Sequence, residues 1–193
     1  MIHLNFARDQ WNTDDMTYAY TYRFNETPIF TQQDDCIENK RCSDNKYGFE
    51  QITMLTKEKH RAGIRISSKC SFDKYGAPLF MLTDQLTKDE NGNMRFGDYF
   101  EVVLYERGVN VWFLHREDGE VKVQNLLRVE FPITAAEIHT LTTEIKEKTF
   151  VIYADEHKIQ LHVPNLFESF HIGITACEGI NHFYTLDLEK IEA

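Results

Sequence analysis

The stretch Asp98-Tyr-Phe-Glu-Val-Val-Leu-Tyr-Glu106, Arg107-Gly108, Val109-Asn-Val-Trp-Phe-Leu-His115, Asp118-Gly119, Val121-Lys-Val-Gln-Asn-Leu-Leu127 decides the fold. Three β-branched and aromatic runs are divided by two short turns, and an Asp-Gly turn supplies the positive φ that a tight hairpin requires. This is an antiparallel meander. Working upstream, Phe49–Thr56, Arg61–Phe72 and Pro78–Leu82 read as strands, and Lys88-Asp-Glu-Asn-Gly-Asn-Met94 reads as a loop. Downstream, Ile138–Ile145, Phe150–Ala154 and Lys158–Val163 form a second meander, followed by a helical turn at Pro164–Ser169 and strands at His171–Ala176 and Phe183–Leu188. Short strands at regular spacing, with hardly any helical period between them, predict an all-β antiparallel sandwich rather than βαβ units. The polar connection from Pro28 to Lys46 is the least regular part of the chain.

Composition bounds the answer. The 193 residues suit one domain over 1–193, and 42% hydrophobic against 27% charged residues give enough to bury and enough to cover it. Thirty-one acidic against 21 basic residues leave a net charge of −10, and no Lys/Arg block is present, so nucleic acid is not an expected partner. No apolar run approaches the ~20 residues needed to cross a bilayer, so no membrane association is expected. The start, Met1-Ile-His-Leu-Asn-Phe6, lacks the basic and apolar regions of a signal peptide, which points to the cytoplasm and to free thiols at Cys36, Cys42, Cys70 and Cys177. No phosphate loop, dinucleotide fingerprint, Gly-x-Ser-x-Gly or His-Glu-x-x-His motif occurs, which removes nucleotide chemistry, serine hydrolysis of that type and zinc proteolysis.

The C-terminal run Glu137-Ile-His-Thr-Leu-Thr-Thr-Glu-Ile145, Phe150-Val-Ile-Tyr-Ala-Asp-Glu-His-Lys-Ile159, Asn165–Ala176 and Phe183–Leu188 resembles the tail of concanavalin A-like lectin/glucanase domains, the laminin-G-like group included. The likeness covers the strand order from Phe49 to Glu189. It implies a jelly-roll sandwich of two antiparallel sheets, one of them curved, whose concave face holds a sugar chain in many members. Glucanases of the laminarinase type carry Glu-x-Asp-x-Glu on one strand. Here that strand is Asp98–Glu106, where Asp98 and Glu106 share a face across three apolar residues and Glu101 stands alone on the other. The departure weakens the hydrolase reading.

Strand alternation places Phe100, Val102 and Leu104 in the core and sends Tyr99, Glu101 and Tyr105 to the opposite face. Asn110, Trp112, Leu114 and Arg116 share a side of the next strand, and Arg65, Ser67 and Lys69 share the polar side of theirs. Set on one surface, these residues offer flat rings for sugar C–H faces and charged groups for hydroxyls. The expected ligand is therefore an oligosaccharide or small sugar held by Arg65, Lys69, Tyr99, Glu101, Tyr105, Asn110, Trp112 and Arg116, with His182 contributing from the loop Glu178–His182. A plainer reading has Trp112 and Tyr105 under a loop and Arg65 paired with Glu101 across strands. Glu101 is the weak catalytic candidate, with Glu50 or Glu178 as its partner acid in a glycoside hydrolase or polysaccharide lyase. A protein-interaction or oligomerisation module is the remaining alternative. His139 and His171 lie within strand patterns and read as structural, and His157 lies in a turn. No cofactor is required; Asp89-Glu-Asn-Gly-Asn93 offers oxygens to calcium but lacks an EF-hand's closing Glu, and no metal site is assigned. Tyr18, Tyr20 and Tyr22, on one face of a strand, mark a candidate homodimer contact that requires them to be exposed.

Overall fold

The computed structural model describes residues 1–8, 11–20, 29–40 and 51–192. The strands are β1 (Ile2–Asn5), β2 (Met16–Ala19), β3 (Thr31–Gln32), β4 (Ile37–Glu38), β5 (Ile52–Thr56), β6 (Ile64–Phe72), β7 (Ala77–Thr83), β8 (Leu86–Lys88), β9 (Met94–Phe96) and β10 (Tyr99–Tyr105). They continue with β11 (Gly108–Glu117), β12 (Glu120–Glu130), β13 (His139–Lys146), β14 (Thr149–Ala154), β15 (His157–His162), β16 (His171–Cys177), β17 (Asn181–Phe183) and β18 (Thr185–Lys190). No helix is present among the described residues; Pro164–Ser169, expected to be helical, makes turns in which Leu166 N–H donates to the Val163 carbonyl at 3.1 Å.

Two antiparallel sheets face each other. The seven-stranded sheet runs β12-β11-β10-β7-β16-β5-β2, and the nine-stranded sheet runs β15-β14-β13-β6-β17-β4-β3 with β18 also on β6 and β1 on β18. This is an all-β jelly-roll sandwich. Between the sheets lie Phe80, Phe100, Val102, Leu104 and Ile172 from one side and Ile66, Leu141, Phe150 and Ile152 from the other, all fully buried or nearly so. At ~25 cal/mol per Å² of apolar surface, this layer supplies the main driving force for folding. The turns obey local chemistry: Asp118 and Gly119 both take positive φ, the type I′ requirement read from the sequence.

A second apolar cluster lies on the outer face of the seven-stranded sheet. Ala19, Leu55, Leu79, Met81, Tyr99, Val103 and Leu114 are buried there beneath Phe96, with Leu86 and Met94 packed alongside. The stretch read as a plain loop is thus a short hairpin, β8–β9, which roofs part of this face. It is anchored by polar groups: Tyr20 Oη donates to Asp89 Oδ2, Arg95 Nε donates to Tyr20 Oη at 2.8 Å, and the Arg95 guanidinium lies 4.8 Å from the Tyr20 ring centroid. Tyr20 accordingly faces its own chain. Tyr20 is buried, and Tyr18 is half-buried against Phe30 at 6.2 Å between centroids, so neither is exposed as a dimer contact would require; Tyr22 lies outside the described residues.

Candidate functional site

The register of β10 on β11 builds the site. Tyr99 faces Leu114, Glu101 faces Trp112 and Val103 faces Asn110, all on the outer side because Phe100, Val102 and Val111 turn inward. Glu101 and Trp112 are therefore nearest neighbours. Around them a cleft of about 310 Å³ is lined by Gln51, Tyr99, Glu101, Tyr105, Asn110 and Trp112, with Glu178 and Val123 at its margins. Asn110 Oδ1 is enclosed in this cleft without a hydrogen-bond partner among the described residues, and a buried amide oxygen normally has one. Trp112 and Tyr105 are half-buried and line the cleft.

Tyr99 plays a different part from the stacking platform expected of it. Its ring is buried edge-on against Phe96, with centroids 5.0 Å apart and planes at 88°, so it forms floor and wall. Arg116 lines an adjoining cleft with Asp84, Arg95, Asp98 and His115.

Three of the expected ligand residues belong to the other sheet. Arg65 and Lys69 are on β6, at the centre of the nine-stranded sheet, and their outward face is on the far side of the sandwich from Trp112. Arg65 does form a cross-strand ion pair, but with Glu144 at 2.5 Å and Glu189 at 2.8 Å rather than with Glu101. These bonds hold the Glu144 carboxyl below the usual carboxylate range. Lys69 is exposed, and its backbone N–H donates to Thr185 Oγ1 at 3.2 Å. His182, on β17, is held by Glu38 Oε2 at 3.0 Å and lies near Ser71 Oγ at 3.4 Å, again on the nine-stranded sheet. Period-two alternation assigns a face but cannot say which sheet a strand joins.

The structural histidines are built in as expected. His139 lies 2.7 Å from Asp155 Oδ2 and 2.8 Å from the Thr134 carbonyl, and buried His171 lies 2.9 Å from the Thr56 carbonyl. Cys36 and Cys70 are free thiols, both pushed up to about 12 by burial, and Cys177 is half-buried; Cys42 lies outside the described residues. Asp89 turns inward, accepting Asn91 N–H and Asn93 N–H at 2.9 Å each in addition to Tyr20. No group of three or more His, Cys, Asp or Glu is placed to hold a metal among the described residues. The parts that sequence reading missed are the hairpin roof, Gln51 and Val123, and the second cleft apart from Arg116; the alternation of Leu86-Thr-Lys88 against Met94-Arg-Phe96 was the available signal for the hairpin.

No family model and no curated protein matches the chain. Solved structures do. A carbohydrate binding module, CBM66, from Bacillus subtilis superposes with a TM-score of 0.59 at 16% identity, covering 93% of this chain and 98% of that one. A glycoside hydrolase family 16 endo-glucanase from Bacteroides ovatus gives a TM-score of 0.64 at 10% identity over 97% and 99% of the two chains. The β-glucanase of Bacillus licheniformis gives 0.60 at 14% identity over 98% and 97%. At these identities the likeness is one of fold, and that fold is the concanavalin A-like jelly roll.

Proposed function

We propose that this concanavalin A-like sandwich binds a carbohydrate in the cleft on its seven-stranded sheet and does not hydrolyse it. The observation that carries the reading is the direct cross-strand opposition of Glu101 and Trp112, with Asn110 one row further along. A half-exposed indole offers an apolar plane to the C–H face of a sugar, while a carboxylate and a primary amide beside it bond ring hydroxyls; this combination of stacking and hydrogen bonding suits a pyranose. The similarity to a carbohydrate binding module and to glucanases supports sugar as the ligand class on this scaffold.

Glycoside hydrolysis needs two carboxyl groups about 5–10 Å apart. Glu101 is the only acid on the outer face of β10, and Glu178 is the described acid that shares its cleft, while Glu50 lies outside the described residues. By register, Glu101 meets Met81 and Met81 meets Gly173, whereas Glu178 follows Cys177 on the row of Ala77. Two strands across and five residues along separate the backbones by roughly 19 Å, which favours binding over catalysis.

The test is a thermal-shift and tryptophan-fluorescence screen against mono- and oligosaccharides, with and without calcium, on the parent protein and on Trp112→Ala. A ligand that binds only the folded state raises Tm by mass action. A saturable shift that Trp112→Ala abolishes, without release of reducing sugar, is the expected result. Turnover that is lost in Glu101→Gln would make the protein a hydrolase, and the absence of any shift together with a destabilised Trp112→Ala would make the indole a packing group.

A further inference from the structure

The row of the seven-stranded sheet that contains Asn110 gives its amide little to bond. Asn110 faces Val103 on β10, and Val103 faces Leu79 on β7, both buried in the outer cluster. On its other side Asn110 faces Arg128 of β12, whose guanidinium is turned to Glu130, with Nε 3.0 Å and Nη2 2.8 Å from Oε1. The Asn110 oxygen is left enclosed, with no hydrogen-bond partner among the described residues. An amide in that condition lowers the stability of the fold, and asparagine is in any case a poor strand former. Valine or leucine would serve the sheet better at this position.

What the position does give the amide is the cleft. Asn110 is half-buried and lines the cleft together with Trp112, which lies two residues further on the same face of β11 and so roughly 7 Å along the strand. At that spacing one sugar ring reaches both, its face on the indole and a hydroxyl at its rim on the amide. Rotation about χ2 exchanges the amide oxygen and the NH2 group. Because the enclosed position has no bond to lose, either end can be turned to that hydroxyl, as acceptor or as donor.

We propose that Asn110 is the specificity-determining residue of the cleft: it bonds one hydroxyl of the same sugar ring that stacks on Trp112, and so selects the sugar by the position and configuration of that hydroxyl. The inference rests on the cleft being a sugar site and names the group that chooses among sugars. Trp112 supplies affinity without that choice, since an indole accepts the apolar face of many rings. A sugar lacking the hydroxyl, or carrying it inverted, leaves the amide unpaired against the ligand and is rejected by about tenfold or more.

Its test crosses sugar analogues with variants. Methyl glycosides of glucose, galactose, mannose and fructose, and the monodeoxy derivatives of each, are titrated calorimetrically into the parent, Asn110→Leu, Asn110→Val and Trp112→Ala, and the Tm of each ligand-free protein is measured. The parent should prefer its best sugar over one epimer or one deoxy derivative by about tenfold or more. Both Asn110 variants should bind that best sugar more weakly, no longer distinguish it from the rejected analogue, and melt no lower than the parent. Leucine is close to asparagine in size and valine is no larger, so a loss common to both is the loss of a hydrogen bond and not a blocked cleft. Trp112→Ala should weaken all the sugars together. Full discrimination retained in either Asn110 variant would overturn the proposal and leave the sugar face standing. A Tm well below the parent's in both would overturn it too, by making the amide a structural group. Binding of none of these sugars to the parent would overturn both readings.

Discussion

Arg65 shows what a residue's surroundings add to its sequence position. Alternation along β6 correctly turns it outward with Ser67 and Lys69, and a cation on a strand's polar face suits a sugar hydroxyl as well as it suits a carboxylate. The structure puts it between Glu144, whose side chain is 7% exposed, and Glu189. Removing the guanidinium leaves Glu144 with Lys146 alone, 3.0 Å away. Loss of one partner from a fully buried pair costs about 3–5 kcal/mol; here the Arg65 side chain is 40% exposed and a second cation remains, so Arg65→Gln should cost about 1–2 kcal/mol. Urea unfolding measures this, and the same variant should bind sugar as the parent does. A loss of binding at unchanged stability would return Arg65 to the ligand site. Glu101, Asn110 and Trp112, which alternation sets on one face, do share it, because they share one hairpin: the turn fixes their register, and register fixes which side chains touch.

At the scale of elements, the strands were legible and their neighbours were not. β10, β11 and β12 follow each other through tight turns, so pairing follows from order; β6 lies between β13 and the β17/β18 pair, and β16 between β7 and β5, through long-range contacts that no local pattern encodes. The β8–β9 hairpin escaped notice because three residues a side give too short an alternation to stand out from a polar loop. The β16–β5 contact explains a glycine in the middle of a strand. A Cβ built on Gly173 would meet the Met54 carbonyl oxygen at 1.9 Å and Leu55 Cα at 2.9 Å, both backbone atoms that cannot rotate away. Gly173→Ala must therefore push β5 off β16, at a cost of at least the 1–3 kcal/mol typical of overpacking. Because β5 carries Leu55 into the outer cluster, the change should also loosen the face on which the cleft is built. Hydrogen exchange localises the effect: amides of β5 and β16 should lose protection first, and uniform loss across both sheets would indicate global destabilisation instead.

For the whole molecule, the balance of buried titratable groups sets a pH dependence whose sign can be worked out. Burial pulls His60 and His171 below their ordinary value of 6.5, and His60 Nε2 is enclosed without a hydrogen-bond partner among the described residues. The unfolded chain then binds more protons than the folded one as pH drops below about 6.5, so stability falls from that point and continues to fall until the folded-state histidines also protonate. The groups facing this pair are the N-terminal ammonium, Glu58, Asp84, Lys59 and Lys190, and a charge on His171 disfavours one on His60. Glu144, lowered chiefly by its bond to Arg65, and Asp89, lowered chiefly by the Tyr20 hydroxyl, act in the same direction in a lower window: their contribution is present above about 4.5 and 3.8 respectively and is lost as pH falls through their folded values. Asp84 alone runs the other way, since burial raises it and its contribution is lost as pH rises above 3.8. Unfolding midpoints measured from pH 8 to pH 4 should therefore hold steady to about pH 6.5 and decline below it, with a second, steeper loss below about pH 4.5. His60→Gln, which cannot take up a proton, should make the first decline shallower, with His171 still contributing, and leave the second in place; an unaltered first decline would assign it to groups other than His60.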